Sequence, residues 1–426
     1  MLEENVRSLR RAYAEAREET DSFERFNRAQ GMGAIVDPYA GLAAMRAAGP
    51  VHRIDLKGVM GDMKMPMALQ SDDLYLALSF DAVFEVLRDG ARFSSAGYAD
   101  SMGKVMGHTI LEMDGSEHLR TRALISRAFT KRALERWERE LVRPAIHAYV
   151  DGFAARGHAD LVRELTFPFP VRVIAGMMGL PEEDHARFHR LAVELISVSI
   201  DPELGARASR ELRELFAPVV AARRRSPQDD LISVLAHAEM EGMRLSDEQI
   251  YAFLNLLAPA GAETTYRSSS NLLVGLLRDP AQLDALRRDP ALMPQAIEEG
   301  LRWECPLLNI VRTTTQDTEV AGVAIPKHKP VSVNLGAANR DPSRWSDPDR
   351  FDVFREQKPH IAFAFGPHVC LGMHLARMET RVLLETLFER LPNLRLDPDA
   401  EPPAITGLIF RSPRALAVRF DAPSAA

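Results

Sequence analysis

Between Ser246 and Asp279 the sequence carries its longest helical signal. Ser246 and Gln249 stand three apart as a capping box. Ile250, Phe253, Leu254 and Leu257, then Leu272, Leu273, Leu276 and Leu277, recur at helical spacing until Asp279-Pro280 ends the run. At 1.5 Å per residue such a helix extends ~45–50 Å and crosses the whole molecule. Its middle, Pro259 to Thr265, is unusual for a helix core. Pro259 removes a backbone donor and crowds the carbonyl four residues back, while Gly261 permits close approach of another group. A weakened turn that holds the Glu263 carboxylate and the Thr264 hydroxyl inside a buried helix points to function rather than structure.

The rest of the chain is built to surround this element. No Pro/Ser/Gly-rich linker or composition break divides the 426 residues. The expectation is one large domain over 37–426, preceded by a helical extension over 1–36. Residues 1–32 read as an amphipathic, exposed helix with a flexible joint at Gly31 to Gly33. A net charge of −7 argues against nucleic-acid binding. Two cysteines, Cys305 and Cys370, form no disulfide framework and fit a reducing compartment. The charged N-terminus lacks a signal-peptide run, and no apolar stretch approaches the ~20 residues that span a bilayer. These features predict a soluble, cytoplasmic protein with no membrane contact.

In chain order, the pattern from Asp37 gives a helix and two strands around a Met-rich loop, then a helix capped by Asp81. Residues 93–110 read as a loop. A helix over 114–140 carries His118 and Arg122 four apart on one face, either a solvated basic face or a binding one. Amphipathic helices fill 140–225. Beyond the long helix, another places Glu299 and Arg302 within pairing distance. After Pro306 the pattern turns to strands, with a hairpin around Glu319 to Ile325, then an irregular meander over 337–356. In His360 to Arg377 a short apolar strand meets a Gly/Pro turn, delivers Cys370 and continues through Gly372 into a helix. A thiolate there is favoured by the helix N-terminus and nearby N–H groups, as for a metal ligand. The alternative is a small buried hydrophobe, the usual fate of an intracellular cysteine. Cys305, beside Pro306, reads as such a buried thiol.

Taken together these motifs resemble those of the cytochrome P-450 family, haem-thiolate monooxygenases of the soluble bacterial type. The haem loop F-G-x-G-x-H-x-C-x-G is matched by Phe363, Gly366, His368, Cys370 and Gly372, with Ala364 in place of the first glycine. The motif A-G-x-E-T-T is met by Ala260, Gly261, Glu263, Thr264 and Thr265, E-x-x-R by Glu299 and Arg302, and the meander arginine by Arg350. Each motif alone is modest, but four in the family's order make a chance match very small.

The resemblance implies a mainly α, single-domain fold with small β-sheets, a triangular helical prism around buried haem b. It implies Cys370 as the proximal ligand of the iron, shielded by Phe363, with Gly366 and Gly372 allowing close backbone approach. His118, Arg122, Arg312 and His368 would receive the haem propionates, and Ala260 and Gly261 would lie against the porphyrin. Glu299, Arg302 and Arg350 would form a structural charge triad. Glu263 and Thr264 would position water and relay protons toward dioxygen. Pro259 would enlarge or fix the groove in the long helix.

By position in the family, the substrate would meet Tyr98, Met102, Met106, Ile196, Ile200, Leu307, Leu308, Ile310, Leu408, Ile409 and Phe410. This apolar set favours a medium-sized terpenoid, steroid or alkyl molecule, and Arg411 leaves a fatty acid open. The haem domain uses up the chain, so electrons would come from an external ferredoxin and ferredoxin reductase. Arg120, Arg127, Lys131, Arg132 and Arg136 form either a docking face for an acidic ferredoxin or a solvated helix surface. A monomer is expected. The other readings are a peroxide-driven enzyme of the same fold, a non-catalytic haem sensor, and a zinc site from His368, Cys370 and His374.

Overall fold

The computed structural model describes residues 8, 11–12, 15–16, 21–56, 71–199 and 201–422. Ile200, most of the first 20 residues and the Met-rich segment over 58–67 lie outside the described residues.

The long helix runs over Asp247–Arg278, 32 residues without interruption, with the Ser246–Gln249 capping box closed in both directions. Its length at 1.5 Å per residue is about 48 Å. It continues through Pro259. Ile250, Leu254, Leu257, Leu272, Leu273 and Leu276 are buried in the larger of two apolar cores, among side chains of the helices Pro168–Met178, Pro202–Arg225 and Met373–Arg390. Some polar residues of this helix are paired inside the core. Ser270 Oγ lies 2.7 Å from Thr166 Oγ, and Asn271 Nδ2 donates to the carbonyls of Glu304 and Arg411.

The second core lies under a five-stranded sheet. Its order is Val51–Asp55, Asp73–Ala77, Pro330–Asn334, Asn309–Thr314 and Phe93–Ser94. Pro330–Asn334 is buried throughout and joins the two halves of the chain, parallel to one neighbour (Val331 beside Tyr75) and antiparallel to the other (Val331 beside Arg312). The expected hairpin forms from Thr318–Val320 and Val323–Ile325, with Ala321 and Gly322 in the left-handed region that such a tight turn requires. The architecture is mainly α with small sheets.

Several local expectations are corrected. The helix Phe80–Arg88 is capped by Ser79, whose hydroxyl accepts from Ala82 N; Asp81 lies inside the first turn. The helix expected over 114–140 breaks after Ser126 and restarts at Lys131, where Thr130 caps it. Residues 93–110 contain a 3-10 turn over Ala96–Asp100 and a short helix over Gly103–Met106. Residues 24–32 are docked rather than exposed. Phe26 and Asn27 are buried, and the N–H groups of Gly407 and Leu408 donate to the carbonyls of Ile35 and Gln30.

Candidate active site

Cys370 sits between a 3-10 turn, Gly366–His368, and the helix Met373–Arg390. The apolar strand expected before it is absent. Ile361 to Phe365 instead fold into a tight loop closed by Ala364 N to Ile361 O (2.9 Å) and Cys370 N to Phe363 O (2.9 Å). Ala364 has φ +59°, a left-handed conformation that explains a glycine at this place in the motif. Cys370 is exposed as a residue, yet the surrounding protein desolvates its thiol. Burial pushes its thiol up, opposed by the Gly372 N–H, Arg122 and Arg377.

Around this thiol the loop is fastened by groups that sequence reading missed. Glu298 accepts two hydrogen bonds from Arg377 and lies 3.1 Å from His360 Nε2. The Arg377 guanidinium lies 4.6 Å from the Phe363 ring centre. Beneath the loop, Glu299 takes two hydrogen bonds from Arg302 (2.7 and 2.8 Å) and a third from Arg355 Nε (3.2 Å). The meander guanidinium is therefore that of Arg355, not Arg350. Arg350 is exposed and contributes only its carbonyl, which accepts from Arg302 and Arg355.

On the other side of the loop His118, Arg122, Arg312 and His368 cluster. The His118 and His368 rings lie 4.1 Å apart, and Arg122 Nη2 donates to Val369 O. His368 lies 3.6 Å from Asp114. Burial works against the Asp114 carboxylate, but His368, Ser94 and the Ser95 N–H hold it below its usual value. Burial, His368 and Arg122 press His118 down to about 4, so it is neutral at pH 7. Its Nε2 is buried with no partner, an anomaly for a polar atom. Arg312 is buried on its strand and gives one N–H to Val311 O.

The central helix is buried on nearly every side, but Ala260 is exposed and Thr264, one turn on, is partly so. Thr264 Oγ1 donates to Ala260 O at 3.1 Å. Glu263 does not share that opening. It is buried and paired with Arg267, a residue the sequence motif does not include. Gly261 is likewise turned away: a Cβ there would sit 2.6 Å from Ile174 Cδ1, so its missing side chain admits the helix Pro168–Met178 rather than a cofactor.

The expected pocket residues divide. Tyr98, Met102, Ile196, Leu307, Ile310, Leu408, Ile409 and Phe410 are partly exposed. Tyr98 Oη accepts from Val311 N at 3.0 Å. Met106 is 2% exposed and belongs to the larger core. Leu308 is fully buried in the second core, where Gly336 leaves room for it. Phe410 packs on Phe26 and lies over the Arg267 guanidinium. Arg411 is spent on Glu304 and the carbonyls of Gly407, Val36 and Ile405, which removes it as a fatty-acid partner. Ser209 was not foreseen: its Oγ donates to Val105 O and accepts from Asn255 Nδ2, tying the short helix Gly103–Met106 to two others.

An exposed lone cysteine, an unpartnered buried imidazole nitrogen between two guanidinium groups, and an opening on a long helix fit a porphyrin dicarboxylate with a thiolate ligand. Gly372 agrees: a Cβ there would meet no protein atom within 4 Å. Zinc fits less well, since among the described residues no three His, Cys, Asp or Glu side chains converge.

Comparison with known proteins agrees with this reading. The family model described as Cytochrome P450 matches residues 199–417. The chain is 35% identical over 382 residues to the cytochrome P450 monooxygenase PikC of Streptomyces venezuelae, covering 87% of each. It is 35% identical over 342 residues to the steroid C26-monooxygenase of Mycobacterium tuberculosis, covering 78% of this chain and 91% of the relative. The crystal structure of CYP109E1 from Bacillus megaterium in complex with testosterone is similar with a TM-score of 0.80 at 30% identity, covering 90% of this chain and 99% of that one.

The chain belongs to the cytochrome P450 family. It is an oxidoreductase that incorporates molecular oxygen, and its cofactor is haem b, iron protoporphyrin IX. No described helix is long and apolar enough to cross a membrane.

Proposed function

We propose that this enzyme inserts one oxygen atom of O2 into a medium-sized hydrophobic substrate, with electrons from an external ferredoxin and its reductase. The observation that carries the reading is the opening at Ala260 and Thr264 on an otherwise buried helix, in a chain that also presents an accessible Cys370. Bound haem b supplies the iron at which dioxygen is reduced and split. Cys370 is its protein ligand. Arg122, Arg312, His368 and His118 would receive the propionates, with the buried Nε2 of neutral His118 donating its N–H to a carboxylate oxygen.

The chain's own part in the reaction is proton handling and substrate placement. The Thr264 hydroxyl, spent on a backbone carbonyl at rest, turns to hold water at the opening, and Glu263 passes protons to it. The partly exposed Met102, Ile196, Leu307, Ile310, Leu408 and Ile409 offer apolar contact without charge. Relatives named for steroid oxidation, and a neighbour solved with testosterone, support a steroid-sized molecule. Arg120, Arg127, Lys131 and Arg132 are exposed and suit an acidic ferredoxin in the cytoplasm; Arg136 is engaged by Asp229.

The test is the ferrous–CO absorption of the purified holoenzyme, a spin-state screen of steroids and macrolides, and turnover with ferredoxin plus O2 against turnover with peroxide. A thiolate-type CO spectrum and ferredoxin-supported product are expected. Product formed only with peroxide would replace this reading with a peroxide-driven enzyme, and no product from any binder would leave a haem sensor.

A further inference from the structure

The Glu263–Arg267 pair is sealed from water: Arg267 is 0% exposed and Glu263 4%. Arg267 Nε donates to Glu263 Oε1 at 2.8 Å, and Nη2 donates to the same oxygen. The guanidinium has other anchors. Nη1 donates to Ser412 Oγ at 3.0 Å and Nη2 to Asn27 Oδ1 at 2.5 Å. The rings of Tyr266 and Phe410 lie 4.7 and 5.2 Å from its central carbon. Asn27 is fully buried and its Nδ2 has no partner among the described residues, so its placement serves the oxygen that faces Arg267. Tyr266, whose hydroxyl reaches Asn27 Oδ1 at 3.4 Å, is the other titratable group in the cluster.

A buried carboxylate that changes protonation or turns away strands its cation, and that stranding is the costly part of breaking such a pair. Here two neutral oxygens and two aromatic faces keep the guanidinium in place when the carboxylate lets go. We propose that Arg267, fixed by Asn27 of the helix Ser22–Ala29 and by Ser412 near the C-terminus, is the positioning residue that parks Glu263 and governs how readily it takes up and releases a proton. The proposal deepens the proton-relay reading of Glu263 and rests on it. It makes the N-terminal segment part of the apparatus that serves the central helix.

The test is an infrared titration of the holoenzyme's protonated-carboxyl band, with Glu263 identified in each background by the band lost on Glu263→Gln. Asn27→Asp is nearly isosteric and gives Arg267 a second carboxylate, so Glu263 should protonate about one pH unit higher. Ser412→Ala, which takes from Arg267 the neutral oxygen that shares its charge and leaves Glu263 its main partner, should move it the other way and serves if Asn27→Asp folds poorly. Both variants should keep the wild-type CO spectrum. A Glu263 band that titrates at the wild-type pH in haem-loaded Asn27→Asp and Ser412→Ala overturns the proposal and leaves Asn27 a docking residue. A shifted band, with a solvent deuterium isotope effect on turnover that Glu263→Gln does not alter, upholds the latch and removes Glu263 from the relay. The two readings therefore fail separately.

Discussion

Glu298 and Arg377 meet through two parallel hydrogen bonds, Nε to Oε1 at 2.6 Å and Nη2 to Oε2 at 2.7 Å. The same carboxylate lies 3.1 Å from His360, so one side chain on the helix Met293–Trp303 fastens both ends of the Cys370 loop.

That geometry sets an acid limit. Burial alone would raise the Glu298 carboxyl, but Arg377 and His360 hold it down to about 2. Its folded value lies below its unfolded one, so its contribution is complete above about pH 5 and is lost as pH falls toward 2. Glu298→Gln should cost about 1–3 kcal/mol at pH 7. It should also flatten the pH dependence of haem retention in that window, which melting and Soret measurements from pH 7 to 3 would show.

Gly366 cannot carry a side chain. Its φ is +75°, and a Cβ would lie 2.4 Å from the Leu87 carbonyl oxygen, a backbone atom that cannot rotate aside. Gly366→Ala should displace the loop and abolish the thiolate-type CO absorption. Gly372→Ala meets no protein atom, so any haem loss it causes without a fall in apoprotein stability reports contact with the porphyrin. Ala364→Gly should gain up to ~1 kcal/mol, since relief of a left-handed alanine exceeds the added freedom of the unfolded chain.

Arg355 and Arg350 should separate cleanly. Arg355→Met removes a buried hydrogen bond to Glu299 and three to backbone carbonyls, with an expected loss of about 3–5 kcal/mol. Arg350→Met leaves the carbonyl that Arg302 and Arg355 use and should stay within about 0.5 kcal/mol of wild type. Chemical denaturation of the two variants decides the assignment, and equal losses would refute it.

How much of this was legible in the sequence follows from the range of each interaction. The central helix was readable to the residue because its period, capping box and Asp-Pro stop are all local. Glu299 and Arg302 were readable for the same reason, one turn apart. Arg355, Glu298 with Arg377, and Asn27 with Arg267 pair across 56, 79 and 240 residues, and nothing in the local pattern of either partner names the other. Met106 and Leu308 show the complementary failure. An apolar residue near a pocket and one packed behind it have the same chemistry, and only burial tells them apart. Ser79 displaced Asp81 as a cap because both residue types cap well and tertiary packing chose the register.

His108 makes the segment over 98–112 sensitive to alkali. Its two nitrogens lie 2.7 Å from Glu112 and 2.8 Å from Glu117, and Glu117, then Glu112, raise its pKa against burial. The folded value lies above the ordinary 6.5, so this clasp is complete below about pH 6.5 and is lost as pH rises through the folded value. Amide hydrogen exchange over 98–112, corrected for the intrinsic rate, should quicken across that range in wild type. In His108→Gln it should be quick throughout.

The sheet also has a consequence for how the protein is made. Lys329, immediately before the strand Pro330–Asn334, and Asp73, on the neighbouring strand, stand 256 residues apart, and the strand that joins the two halves is the buried one. During synthesis the strands Val51–Asp55 and Asp73–Ala77 must wait, one edge uncovered, until Pro330–Asn334 has left the ribosome. Cys370 emerges later still. The polypeptide therefore has no finished pocket to offer haem before Cys370 has emerged, and the waiting edge is where chaperone capture or aggregation of the newborn chain should begin.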